Sequence, residues 1–174
     1  MLSKNDSLKK VLSLSNPCSC GSCNHGCKMG SGWLIEDDIP KIASFLNVSI
    51  ENLKKDYLEK HKILNKWMWR PKILCKNKPY GKCIFFKNEK CSIHPVKPLE
   101  CKVAMPCKEY GEKLTIWFML NYVLDLNNDQ SVKDYLLYLK SGGKTLPGGE
   151  PEKLISKKRL SVIKNMYNLN NIKF

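Results

Sequence analysis

Apolar residues recur at helical spacing in parts of this 174-residue chain, and the stretches where they do not are as informative. Leu8, Val11 and Leu12 predict a short helix in the first fifteen residues, ended by Asn16-Pro17, because a residue before proline is pushed out of the α region. Asp37 or Asp38 opens a second helix carrying Ile39, Ile42, Phe45 and Leu46. Ser49 is placed to N-cap a third, with Ile50, Leu53, Tyr57 and Leu58 on one face. Further on, an apolar helix is expected from about Leu114 to Leu126. Ser131-Val132-Lys133-Asp134 resembles a capping box opening a helix to Lys140, stopped by Ser141-Gly142-Gly143. Leu146-Pro147-Gly148-Gly149 then reads as a hinge, and Pro151 as the first residue of a last, basic helix with Leu154, Ile155, Val162 and Met166 as its apolar side.

Two segments follow neither period. Residues 16–32, NPCSCGSCNHGCKMGSG, offer almost nothing large and apolar, so burial alone cannot order them and metal ligation is the obvious alternative. Residues 70–108 contain Arg70-Pro71, Pro79-Tyr80-Gly81, an apolar Cys83-Ile84-Phe85-Phe86 and three more prolines, which exclude a long helix and leave loops with short strands. The expected fold is a small α-rich domain around an irregular, metal-stapled core rich in Cys and Pro, with few short strands. Its expected division is a cysteine-cluster domain over 1–110 and a helical extension over 111–174 packed on it.

Cysteine placement sharpens this picture. The nine cysteines stand at 18, 20, 23, 27, 75, 83, 91, 101 and 107, in two clumps flanking a Cys-free stretch of 47 residues. Cysteine used as a small core hydrophobe would be scattered over every element. The start, MLSKNDSLKK, has no apolar h-region, and the longest apolar run, Leu114 to Leu124, is too short and too interrupted to span a bilayer of about 20 helical residues. A cytoplasmic setting is therefore the expectation, and there cysteine spacing means metal or catalysis more often than disulfides. The first clump, Cys18-x-Cys20-x-x-Cys23-x-x-x-Cys27, has the two-residue spacing that turns two sulfurs toward one ion, as in zinc ribbons and ferredoxin loops. A redox CxxC of Cys20 and Cys23 lacks the βαβ context such motifs need.

Charge adds a second feature. Lys and Arg outnumber Asp and Glu by 30 to 16, and residues 60–90 hold ten Lys or Arg against one acid, Glu89. Such a stretch offsets thiolate charge at a metal site. With Trp67, Trp69 and Tyr80 interleaved it also has the composition of a polyanion footprint. An acidic protein surface or RNA is the expected partner, met by Lys66, Arg70, Lys72, Lys76 and Lys78.

The stretch GKCIFFKNEKCSIHPVKPLECK supplies Gly81, Cys83, Phe85, Cys91, Ile93, His94, Lys97, Pro98, Cys101 and Lys102 in the order Gly-x-Cys-x-Phe, then Cys-x-Ile-x-x-x-basic-Pro-x-x-Cys-basic. Together with Cys20, Cys23, Cys27 and Glu36-Asp37-Asp38, this resembles the CxxCxxCC cysteine-cluster family (YkgJ-like), a zinc- or iron-chelating domain, over about residues 18–107. His94 stands where that family usually has Tyr, and Lys97 where it has Arg. The family's first run usually ends in adjacent cysteines, whereas Cys23 and Cys27 are separated by three residues. A flagellin lysine methylase resembling the family is associated with an iron–sulfur cluster, so the resemblance implies such a cluster ahead of zinc.

Cys20, Cys23, Cys27, Cys83, Cys91 and Cys101 are the expected ligands of that centre, with Cys18 and Cys107 placed to complete a second site. Cys75 reads as a bystander among lysines, His94 as packing or hydrogen-bonding rather than ligating, and His25 as a weaker ligand candidate. Gly142-Gly143-Lys144-Thr145 is no P-loop, because Tyr138 stands where the first glycine belongs, and no HExxH or nucleophile elbow occurs. The leading expectation is a metal-centre accessory protein acting in or on a larger redox, maturation or modification assembly. A nucleic-acid- or ribosome-associated module with structural zinc, and an iron–sulfur oxidoreductase or modification enzyme, are the alternatives.

Overall fold

In a computed structural model, residues 1–15, 20–75, 78, 80–105, 107 and 109–169 are described. Ser7 accepts from Lys10 N and opens α1 (Leu8–Leu14), which buries Val11 while Leu8 and Leu12 stay exposed. α2 (Gly21–Met29) follows directly in the cysteine run, where burial predicts no order, and none of its residues is buried. α3 (Asp38–Leu46) ends at Asn47, whose φ of 54° is the left-handed cap that Asn tolerates. α4 (Ile50–Tyr57) starts as expected, with Ser49 Oγ accepting from Asn52 N.

Leu58 does not extend that helix. It begins β1 (Leu58–Ile63), which pairs antiparallel with β2 (Lys66–Pro71). The two turn residues, Leu64 and Asn65, have φ of 44° and 56°, the double positive φ of a type I′ hairpin. Two smaller ladders follow: β3 (Ile73–Leu74) with β4 (Lys82–Cys83), and β5 (Phe86–Lys87) with β6 (Lys90–Cys91). A 3-10 turn at His94–Val96 leads into α5 (Leu99–Val103).

The helical remainder starts earlier than the pattern predicts, with α6 at Gly111–Phe118, and from Met119 to Val123 it widens to a π-helical turn. α7 (Asp129–Lys140) is capped not by Ser131 but by Asn128, whose Oδ1 accepts from Gln130 N and Ser131 N. Ser131 is buried and turns its hydroxyl to Asp125 N instead. The expected last helix is two: α8 (Pro151–Leu154), with Pro151 in its first turn, and α9 (Lys157–Met166), restarted where Ser156 Oγ accepts from Arg159 N. That restart rotates the register, so Leu160 and Ile163 are buried while Val162 and Met166 are exposed.

Three clusters of buried side chains organise the described residues. The largest joins Val11, Met68, Leu99 and Val103 to Leu114, Trp117, Phe118, Leu120 and Tyr135. A second sets Ile39, Ile42 and Leu53 of α3 and α4 against Cys83, Phe85, Phe86 and Ile93. A third packs Val132 and Leu136 of α7 on Leu160 and Ile163 of α9. Asp38 joins the first two. It is 5% exposed, and its carboxylate accepts from Ile35 N at 3.1 Å and, with both oxygens, from Leu99 N at 3.2 Å. Asp38→Ala leaves both buried N–H groups without an acceptor, and a loss of about 1–3 kcal/mol is expected. Asp38→Asn, which keeps one acceptor oxygen, is expected to lose less. Urea midpoints of the two variants check this, and an unchanged Asp38→Ala midpoint would refute it.

Candidate metal centre

The cysteine run becomes a helix with its thiols at chosen positions. Cys20 is the N-cap of α2, and Cys23 and Cys27, spaced i and i+4, share one face of it. The three-residue gap that departs from the adjacent-cysteine pattern is thus one helical turn. Cys23 Sγ lies 3.6 Å from Cys107 Sγ, and the sulfurs of Cys20, Cys23 and Cys107 all fall within 4.8 Å of one another. Cys20 and Cys107 are exposed and Cys23 is half-buried.

One turn along, Cys27 faces a different group. Cys27 from α2, Cys83 from β4, Cys91 from β6 and Cys101 from α5 line one cavity of about 340 Å³, with Gly32, Lys97 and Glu100 also in its wall and Cys23 at its border with the outer group. The second buried cluster sets this arrangement, because Cys83 belongs to it and Cys27 and Cys91 pack against it. Desolvation pushes every inner thiol up: Cys83 to about 12, Cys101 well above the usual thiol range, and Cys27 and Cys91 in the same direction. Neighbouring charge adds to this: Cys91 raises Cys27, Cys27 and Cys91 raise Cys83, and Glu100, then Cys83 and Cys27, raise Cys101. Lys97, only 8% exposed, opposes this and favours the thiolates of Cys27, Cys91 and Cys101. Glu100 accepts from Trp33 N, and burial lifts its carboxyl to about 7.

Both donor sets are of the kind that binds metal through thiolates. Zinc–thiolate bonds of about 2.3 Å in a tetrahedron place sulfurs about 3.8 Å apart, which the 3.6 Å Cys23–Cys107 separation matches. No three of the inner sulfurs come within 4.8 Å of one another. Four thiols that face one cavity are a donor set that either a single thiolate-bound ion or an iron–sulfur cluster can use.

Of the expected ligands, Cys20 and Cys23 therefore stand with Cys107, and Cys27, Cys83, Cys91 and Cys101 stand together. Cys18 lies outside the described residues. Cys75, His25 and His94 are exposed and line neither group. Met105, two residues before Cys107, is buried in the core, 1% exposed. Glu100 and Gly32 carried no sequence signal, since a carboxylate beside a cysteine and a glycine in a Gly/Ser run are unremarkable in one dimension. Lys97 was visible only as a basic position in the motif.

Gly32 is where the cavity wall is tightest. A Cβ there would stand 2.5 Å from Cys101 Sγ and 3.1 Å from Glu100 Oε2, whereas one at Gly30 meets nothing within 4 Å. Gly32→Ala is expected to displace Cys101, lowering metal content and costing about 1–3 kcal/mol of stability by overpacking, while Gly30→Ala changes neither. Metal analysis and thermal melts of the pair check this, and equal behaviour of the two variants would refute it.

More than half of the chain, residues 19–120, matches the family described as "CxxCxxCC: Putative zinc- or iron-chelating domain". No curated protein and no solved structure matches. The matched span takes in both thiol groups from Cys20 to Cys107 and continues into the first helical turns beyond them. The chain belongs to the CxxCxxCC family.

Proposed function

We propose that Cys27, Cys83, Cys91 and Cys101 hold an iron–sulfur cluster, and that the protein serves as an accessory to a larger redox, maturation or modification assembly. The observation that carries this reading is the inner cavity itself, where four thiols from separate elements converge beside a buried lysine. A bound cluster supplies one-electron chemistry, with a potential tuned by charge, hydrogen bonding and exposure. The chain's part is to lose the four thiol protons, offset the resulting negative charge with Lys97, and keep water away from the sulfurs. Protein purified without oxygen is expected to be brown, with iron and acid-labile sulfide in equal amounts. Cys91→Ser and Cys101→Ser are each expected to lose both. Zinc bound at the inner cysteines with no iron or sulfide would overturn the cluster.

A second reading concerns the partner, and the β1–β2 hairpin favours it. Lys60 opposes Trp69 and Lys62 opposes Trp67 across the ladder, so one face alternates ammonium and indole. Lys60 lies 5.0 Å from the Trp69 ring centroid, Lys54 5.7 Å from the same ring, and Lys62 5.5 Å from Trp67. Trp67 is 61% exposed, and a groove of about 680 Å³ runs from this face to Ile39 and Ile50, with Glu36 and Asp37 on its far wall. An exposed indole among cations, with the half-buried Trp69 beside it, fits single-stranded nucleic acid, whose bases stack while its phosphates meet the lysines. Single-stranded RNA is expected to bind with an affinity that falls as salt rises, by a log–log slope of roughly 0.7 per phosphate contact. Lys60→Glu with Lys62→Glu should flatten that slope and Trp67→Ala should weaken binding at every salt, both without loss of metal. Binding unchanged in these variants would refute the nucleic-acid reading.

A further inference from the structure

We propose that the groove between the hairpin face and the Ile35–Asp38 turn holds one guanine base, whose N1–H and N2–H groups donate to the carboxylates of Glu36 and Asp37 while its phosphate lies toward Lys54 and Lys60. This selection rests on the reading of the hairpin as a nucleic-acid surface, and names the base that the surface prefers.

Composition divides the groove, of about 680 Å³, into three parts. Trp67 and Trp69 supply ring faces, Lys54 and Lys60 supply cations, and Glu36 and Asp37 supply acceptors on the far wall. The charges stay apart: among the described residues neither of these carboxylates has a hydrogen bond or an ion pair, although three lysines share the groove. Lys66 is occupied by the Tyr122 carbonyl at 2.7 Å, and Lys54 and Lys60 lie over Trp69. A nucleotide has the matching polarity, with an anionic phosphate at one end, a flat π face in the middle and N–H donors at the base edge. A base that displaces either lysine from the Trp69 ring frees its ammonium for the phosphate. Three ammonium groups against two carboxylates make the same groove a poor host for a cationic ligand.

The acidic wall is held in place before any ligand arrives. Leu34 N donates to Trp69 O at 2.9 Å, which fixes the chain ahead of Glu36 against β2. The turn that follows is closed twice, by Asp38 N donating to Ile35 O and by Ile35 N donating to the Asp38 carboxylate, each at 3.1 Å. Glu36 and Asp37 are its two central residues, exposed at the tip of a fixed backbone. An ionised carboxylate only accepts. Guanine alone among the four bases sets two donors side by side, N1–H and N2–H. Uracil has one N–H between two carbonyls, and adenine and cytosine set an amino group beside an acceptor nitrogen that a carboxylate repels.

The test measures binding of short oligo-U RNA carrying one central guanosine, inosine, adenosine or uridine to the anaerobically purified full chain, by fluorescence anisotropy. Guanosine monophosphate and inosine monophosphate are titrated separately, by quenching of tryptophan fluorescence. The guanosine oligomer is expected to bind about tenfold more tightly than plain oligo-U, within the range for one bidentate base contact. Inosine, which lacks only the 2-amino group, should lose most of that preference. Glu36→Gln with Asp37→Asn keeps side-chain size and a good N-cap for α3. That double variant should abolish the preference, keep its metal and bind plain oligo-U at least as tightly, since two negative charges are gone. Equal affinity for all four oligomers, with the dependence on salt and on Trp67 intact, would overturn guanine selection and leave the nucleic-acid reading standing. A guanine preference that survives in the double variant would overturn the role of these carboxylates. Guanosine monophosphate bound ahead of inosine monophosphate, and lost in the double variant, would keep the guanine site even if no RNA binds, and would make a free nucleotide its ligand. No binding of RNA or of either nucleotide would overturn both readings.

Discussion

Lys97 sits 8% exposed in a cavity whose walls carry four cysteine sulfurs and the Glu100 carboxyl, and much of the surrounding architecture follows from that arrangement. Removing a charge from water costs several kcal/mol unless opposite charge or hydrogen bonds compensate. Neutral thiols supply little compensation, and desolvation holds all four inner thiols toward their neutral form. The chemistry of the cavity is thus complementary: a cation poised beside groups that become anionic when a metal displaces their protons. Because that displacement releases protons, metal affinity falls as pH falls. The burial that disfavours bare thiolates is the same burial that keeps competing water from a bound metal centre.

Holding the walls together is the work of two acids that reach in opposite directions. Asp38, at the start of α3, accepts from Leu99 N at the start of α5. Glu100 returns across the same gap to accept from Trp33 N. Segment 32–38 and segment 97–101 are thereby laced by reciprocal side-chain-to-backbone bonds, and Gly32 and Cys101 each lie next to a lacing point. Apolar packing then sets depth, since Ile39, Ile42 and Leu53 hold Cys83 and Phe85 from the other side. Each cysteine's element is short, two residues for β4 and for β6, so tertiary contacts rather than local structure place the sulfurs.

How much of this could be read from the chain depends on the range of the interaction involved. Local signals were legible: Ser49 caps α4, Lys140 ends α7, and Pro151 opens α8. The two clumps stood out as candidate metal ligands because cysteine spacing is a local code. The hairpin was not, because Glu59-Lys60-His61-Lys62 shows no apolar alternation and Leu64-Asn65 lacks the Asn-Gly turn that marks a type I′ loop. Ser131 misled for a similar reason, since Asn128 is the better-placed acceptor and the serine hydroxyl has a tertiary use at Asp125. The division of the cysteines was illegible because Cys23 and Cys27 differ by one helical turn, and nothing in the spacing says that the turn separates two groups.

The excess of lysine also divides once the fold is known. Lys66 donates to the Tyr122 carbonyl, Lys72 to the Lys55 carbonyl, and Arg70 pairs with Glu59 and stacks over Trp33. These cations, which composition alone nominates for a partner, stitch the hairpin to its neighbours. Lys78 lies over Tyr80, and Lys76 is outside the described residues. The hairpin explains the division, because the side chains of one strand alternate between two faces. Glu59, His61 and Ile63 turn with Arg70, Met68 and Lys66 to the side that contains buried Met68, and leave Lys60 and Lys62 with Trp69 and Trp67 on the other. A lysine held over an indole keeps its charge at the surface while its stem and the ring shield each other's apolar area. The same alternation that spends half of the basic stretch on stability therefore leaves the other half as an ordered cationic and aromatic surface.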